Sequence, residues 1–174
     1  MKLARRLILL VLLLAAGFWL WSVFFPSPQK AIRRHLEKTA RTASFKSTEG
    51  AVERIGNIAE FGNCFSKEAE VQFEMPGGGN QTLAGRNEIM RAAGLARTYG
   101  SALQVELLDS ILTVAPDRQT ATVDLTVRAR MPGDRDFFVQ EMKLHLKQIG
   151  RAWLIIRAET VKTLSAAAAT AAIR

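Results

Sequence analysis

The side chains that could move a proton or hold a metal are few and scattered. His35 and His145 are the only histidines. His35 falls among Arg33, Arg34 and Lys38 on what reads as an exposed helix face, and His145 alternates with Lys143 and Lys147 along a strand. Neither has a ligating neighbour at useful spacing, so no metal site is expected, and no motif calls for a cofactor. Cys64 is the only cysteine, which excludes an internal disulfide. It lies in an apolar helical stretch and reads as a small buried hydrophobe rather than a nucleophile. Asp134-Arg135-Asp136 resembles an acid–base trio but sits in a Pro-Gly hairpin loop, where solvated turn residues are the rule. Asp124 shares its strand face with threonines and arginines, a solvent-side pattern. Asp109 follows Leu107 and Leu108, which hints at a bulge able to turn its carboxylate inward. Tyr99, the only tyrosine, ends a helix and reads as a ring over the core edge, with a pocket mouth as the alternative. Arg157 and Glu159 share one strand face, and a surface salt bridge with a neighbouring strand is the expected role. Gly77-Gly78-Gly79 lacks a following Gly-Lys-Ser/Thr and leads into a strand, so it is not a phosphate loop.

The elements that must position these residues follow from periodicity. Ser27 can cap, and Pro28 can open, a helix to Ala43 in which Ile32, Leu36, Ala40 and Ala43 mark one face. Thr48 reads as the cap of a second helix reaching about Phe65, with an inner stripe of Val52, Ile55, Ile58 or Ala59, and Gly62. Val71, Phe73 and Met75 alternate with Glu70, Gln72 and Glu74, a half-buried strand. A Pro-Gly turn returns through Gln81 to Ala84, and a third helix runs from Glu88 to about Thr98. Four long strands follow, over 103–114, 119–131, 137–149 and 151–164, joined by hairpin signals at Pro116-Asp117, Pro132-Gly133 and Gly150. One alternating apolar face implies an antiparallel sheet covered on one side by helices, an α+β fold. Residues 165–174 are alanine-rich and read as a frayed or disordered tail.

Leu7 to Phe25 is 19 residues without a charge. As a helix it spans about 30 Å, the thickness of a bilayer core. Trp19, Trp21, Phe24 and Phe25 crowd its far end, as an aromatic belt would, and Pro26 and Pro28 stop it. A cleaved signal peptide is the competing reading, but the stretch stays apolar well past any small-residue cleavage site. Residues 1–26 are therefore read as a transmembrane anchor and 27–164 as one domain. Lys2, Arg5 and Arg6 favour the N-terminus inside and the domain on the extracytoplasmic side of a bacterial inner membrane. The formal net charge is +8. The one basic cluster, Lys30, Arg33, Arg34, Lys38 and Arg41, carries no interleaved aromatics, so anionic headgroups are expected as its partner rather than nucleic acid.

The order of helix, helix, short hairpin, helix and four-strand meander resembles the nuclear transport factor 2-like superfamily, including its SnoaL-like polyketide cyclases. Phe73-Glu74-Met75-Pro76-Gly77 and Gly85-Arg86-Asn87-Glu88-Ile89 look like that family's strand, turn and helix start. Gly150-Arg151-Ala152-Trp153 looks like its last hairpin. The resemblance covers about Pro28 to Leu164. It implies a cone, a curved sheet wrapped on about three helices, whose apolar interior can open as a pocket. Some members are enzymes and many only bind partners, so fold does not decide function. The acid–base set of an isomerase is missing here. The expected function is thus a membrane-tethered binding or assembly domain, with pairing into a homodimer through the outward sheet face at Thr122, Thr126, Lys143 and Trp153 or their neighbours. The alternative is a small-molecule enzyme or apolar-ligand carrier with a pocket of Phe73, Tyr99, Phe138, Met142 and Trp153, and Asp109 as its inward acid.

Overall fold

A computed structural model describes residues 27–74, 79–131 and 137–164. The anchor at Leu7–Phe25, the alanine-rich tail, and the Met75 and Asp134–Asp136 positions lie outside the described residues. Among the described residues no helix is long and apolar enough to cross a membrane.

Among the described residues the elements run in the order α1 (Pro28–Ala43), α2 (Ala51–Gly62), β1 (Phe65–Glu74), β2 (Asn80–Ala84), α3 (Arg86–Tyr99), β3 (Gln104–Val114), β4 (Thr120–Arg130), β5 (Phe137–Ile149) and β6 (Ala152–Leu164). The strands form one sheet in the order β2-β1-β6-β5-β4-β3. Its hairpins are antiparallel, but β1 runs parallel to β6, with Val71 opposite Ala158. The sheet is therefore mixed rather than wholly antiparallel. Hairpin signals specify neighbours in sequence, and the β1–β6 seam joins strands separated by most of the domain.

The helices cover the concave face. Ile32 and Leu36 of α1 meet Val123, Leu125, Leu144, Leu146, Trp153 and Ile155 in a core that also takes in Phe65, Ala69 and Ile89. Ser27 caps α1, its Oγ accepting from Lys30 N at 3.4 Å. α2 begins later than Thr48 suggests, with Gly50 at its N-cap and no side-chain cap. The α3 start explains its Gly-Arg-x-Glu motif structurally. Gly85 adopts φ 87°, open to glycine but strained for other residues. Glu88 Oε2 accepts from Ala84 N at 2.7 Å, and Arg86 Nε donates to Phe65 O at 3.0 Å, tying the helix to both strands of the first hairpin.

Two faces differ from expectation. Val52 and Ile55 of α2 are 86% and 69% exposed, not an inner stripe. α2 and α3 pack antiparallel through Gly62 against Met90 and Ile58 against Gly94, and Phe61 meets Phe65 edge-on at 5.1 Å. That close approach, permitted by two glycines, rotates α2 so that Val52 and Ile55 point away from the sheet. His35 is half-buried rather than exposed. Its Nε2 donates to the Cys64 carbonyl at 3.0 Å, and the same oxygen accepts from Ile155 N. Cys64 itself is buried and free.

This placement gives His35 a pH signature. Burial pushes its pKa below 6.5; the bond to Cys64 opposes the shift and the Lys38 charge adds to it. Between the folded value and about 6.5 the unfolded chain takes a proton that the folded chain refuses. Stability is expected to fall as pH drops through that window and to level off below it. An NMR titration of the His35 ring with a midpoint at or above 6.5 would contradict this.

Candidate apolar site

A cavity of about 180 Å³ lies between α1 and the concave face of the sheet. Its α1 wall is Leu36, Thr39, Ala40 and Ala43, and its sheet wall includes Leu107, Val127, Met142, Leu144 and Ala158. The space exists because alanines stand where larger residues would fill a core: Ala40 and Ala43 on the helix, Ala158 on β6. The lining is apolar apart from Thr39, whose hydroxyl donates to its own helix at His35 O, 2.8 Å away. No ionisable side chain among the described residues lines it. Such a space favours hydrocarbon over water, since a cavity of similar size in an apolar core stays dry and accepts benzene.

Of the pocket residues expected from sequence, only Met142 lines this cavity. Tyr99 is 84% exposed at the α3 end, and Phe138 is 39% exposed near the start of β5. Trp153 is buried at the opposite end of β6, opposite Gln148, so it cannot belong to an outward pairing surface. Phe73 is half-buried on β1 opposite Gln81, away from the cavity. The bulge at Leu107–Asp109 is present, with Leu107 opposite Val127 and Asp109 opposite Thr126. It leaves the Asp109 carboxylate exposed, accepting from Ser110 N at 2.7 Å, not turned inward. Sequence reading set Leu36, Ala40 and Ala43 on the apolar face of α1 without assigning them to a pocket, and did not single out Ala158. The signal available for three of them was the apolar face of α1, whose last two positions are small.

A cleft of about 590 Å³ lies between the end of α1, the following loop, α2 and the start of β3. Beneath it Glu49 holds Arg97, with Nε–Oε2 at 3.5 Å and side chains 5% and 2% exposed. Asn57 donates to the other Glu49 oxygen, and Arg97 also donates to Thr42 O and lies 5.2 Å over the Phe45 ring. These contacts clamp the 44–50 loop to α3. The outer sheet face is laced with charge: Lys143 meets Asp124 at 3.4 Å, Arg157 meets Glu159 at 3.4 Å, and Arg128 pairs with Glu106. Among the described residues no group of three or more His, Cys, Asp or Glu side chains could hold a metal ion.

A mixed sheet of six strands, curved over three helices, decides the architecture. The fold is that of the nuclear transport factor 2-like, cystatin-like proteins. A protein from Novosphingobium aromaticivorans, provisionally named a scytalone dehydratase, superposes with TM-score 0.58 at 15% identity, covering 79% of this chain and 86% of that one. A cystatin-like protein from Caulobacter vibrioides gives 0.57 at 15%, covering 82% and 94%. A nuclear transport factor 2-like protein from Pseudomonas putida gives 0.56 at 14%, covering 78% and 92%. Identities this low carry the fold alone. No protein-family model matches the chain, and no curated protein does.

Proposed function

We propose that this chain is a membrane-tethered binding domain that takes an apolar chain or ring into the cavity behind α1. The observation that carries this reading is the cavity lining, apolar apart from Thr39 and without an ionisable side chain among the described residues. Acid–base catalysis needs a titratable group within hydrogen-bond reach of the reacting atom. The dehydratase name among the structural neighbours keeps a small-molecule enzyme as the rival, and such an enzyme needs a carboxylate, tyrosine or histidine facing this space. At about 180 Å³ the cavity is smaller than the roughly 300–1,000 Å³ of sites that enclose whole small molecules, so the occupant is part of a larger ligand, such as the end of an acyl chain. The apolar run Leu7–Phe25, read as the tether, places such chains nearby.

Photolabelling tests this directly. The full chain in phosphatidylcholine vesicles, irradiated with a diazirine-bearing fatty acid, is expected to carry label on the peptides holding Leu36–Ala43 and Met142. Label confined to residues 1–26 would sink the binding site while leaving the tether intact.

A further inference from the structure

We propose that α1 lies flat along an anionic bilayer surface, with its basic face against the headgroups. The inference rests on the tether reading given above and adds an orientation to it. α1 has two faces with opposite character. Ile32 and Leu36 are buried in the core, and Ala40 and Ala43 line the cavity. The other face exposes Lys30, Arg33, Arg34 and Arg41, with Glu37 as its one carboxylate. Lys38 sits to the side, paired to Glu60 at 3.0 Å. Among the described residues none of the four exposed cations is held in an ion pair. Asp109 of β3 and Glu37 share a shallow depression with Arg33.

Position in the chain supplies the occupant. The apolar run ends at Phe25, and α1 starts at Pro28, so a bilayer surface that receives the run also receives the first turn of α1. Juxtamembrane basic residues are drawn to anionic headgroups only within about a Debye length, near 8 Å at physiological salt. From Lys30 to Arg41 the helix rises about 16 Å. A helix standing upright would bring Lys30, Arg33 and Arg34 into range and leave Arg41 outside it. A helix lying flat brings all four into range, and each adds roughly fivefold to the surface-bound population. The flat arrangement also sets the cavity directly behind the helix that touches lipid, since α1 supplies one wall of it.

The test uses the full chain with Glu37→Cys carrying a fluorophore, in vesicles containing nitroxide-headgroup lipid; Cys64 is buried and stays unlabelled. Quenching is expected to be about fivefold or more stronger in phosphatidylglycerol-rich vesicles than in phosphatidylcholine alone. High salt should abolish the difference, and Arg41→Glu should lower it as well as Arg33→Glu with Arg34→Glu. A label at Thr122→Cys on the outer sheet face should stay unquenched throughout. Equal quenching at position 37 in both lipids, on a chain that floats with the vesicles, overturns the orientation while the tether stands. A chain that fails to float with phosphatidylcholine vesicles overturns the tether itself. The salt and lipid comparisons need no charge variant, so a misfolded mutant does not leave the question open.

Discussion

Glu49→Ala is expected to cost about 3–5 kcal/mol of folding stability, read by urea unfolding of the full chain in non-ionic detergent. The Glu49–Arg97 pair is almost wholly buried, at 5% and 2% side-chain exposure. Burial already pushes the Arg97 guanidinium below its ordinary pKa; Glu49 opposes that shift and nearby Arg54 adds to it. Removing the carboxylate leaves a buried cation facing a second cation, with only the carbonyls of Thr42 and Ala93 and the Phe45 ring as partners. Domains of this size are stable by only about 5–15 kcal/mol, so the variant should sit near the edge of folding. Replacing both partners, Glu49→Leu with Arg97→Met, should recover most of the loss, because a buried pair repays little beyond its own desolvation. A loss below about 1 kcal/mol in Glu49→Ala would mean that water reaches the pair from the cleft above it.

Filling the cavity should separate stability from binding. Ala158→Leu and Ala43→Phe each place several carbons into the 180 Å³ space from opposite walls. Domain labelling by the diazirine fatty acid is expected to fall about tenfold or more in both, while labelling of residues 1–26 is unchanged. Stability should rise by up to about 2 kcal/mol, since cavity volume costs near 24 cal/mol per Å³. Ala158 is 3% exposed and can overpack, at a cost of about 1–3 kcal/mol. Ala43 is half-buried at the margin of the helix, and its variant keeps the test clear of that cost. Undiminished labelling of the domain in both variants would show that the lipid contacts lie on its surface instead.

The apolar patch on α2 carries a general lesson. Val52 and Ile55 recur at a spacing that marks a buried helix face, and both stand in solvent. Periodicity reports that a face is apolar. It does not report which neighbour covers it. Only the C-terminal half of that stripe packs: Ile58 meets Gly94 and Gly62 meets Met90, with Phe61 beside them on Phe65. His35 shows the same limit in reverse. Its charged neighbours put it on a polar face, yet the Cys64 carbonyl, 29 positions away, draws its ring inward.

Local signals alone determined the order of helices and strands among the described residues, their hairpins and the α+β class, though not the end of α2, expected near Phe65 and found at Gly62. Capping residues, turn glycines and alternation act over a few residues and are written where they act. The bulge at Asp109 was legible for the same reason, from two adjacent leucines. Tertiary structure decided what depends on residues far apart in the chain. The parallel β1–β6 seam, the Glu49–Arg97 pair beneath the cleft and the outward carboxylate of Asp109 all belong to that class. So does the cavity, because empty space is a property of facing surfaces. Ala40, Ala43 and Ala158 look like ordinary small residues until the fold sets them across from one another.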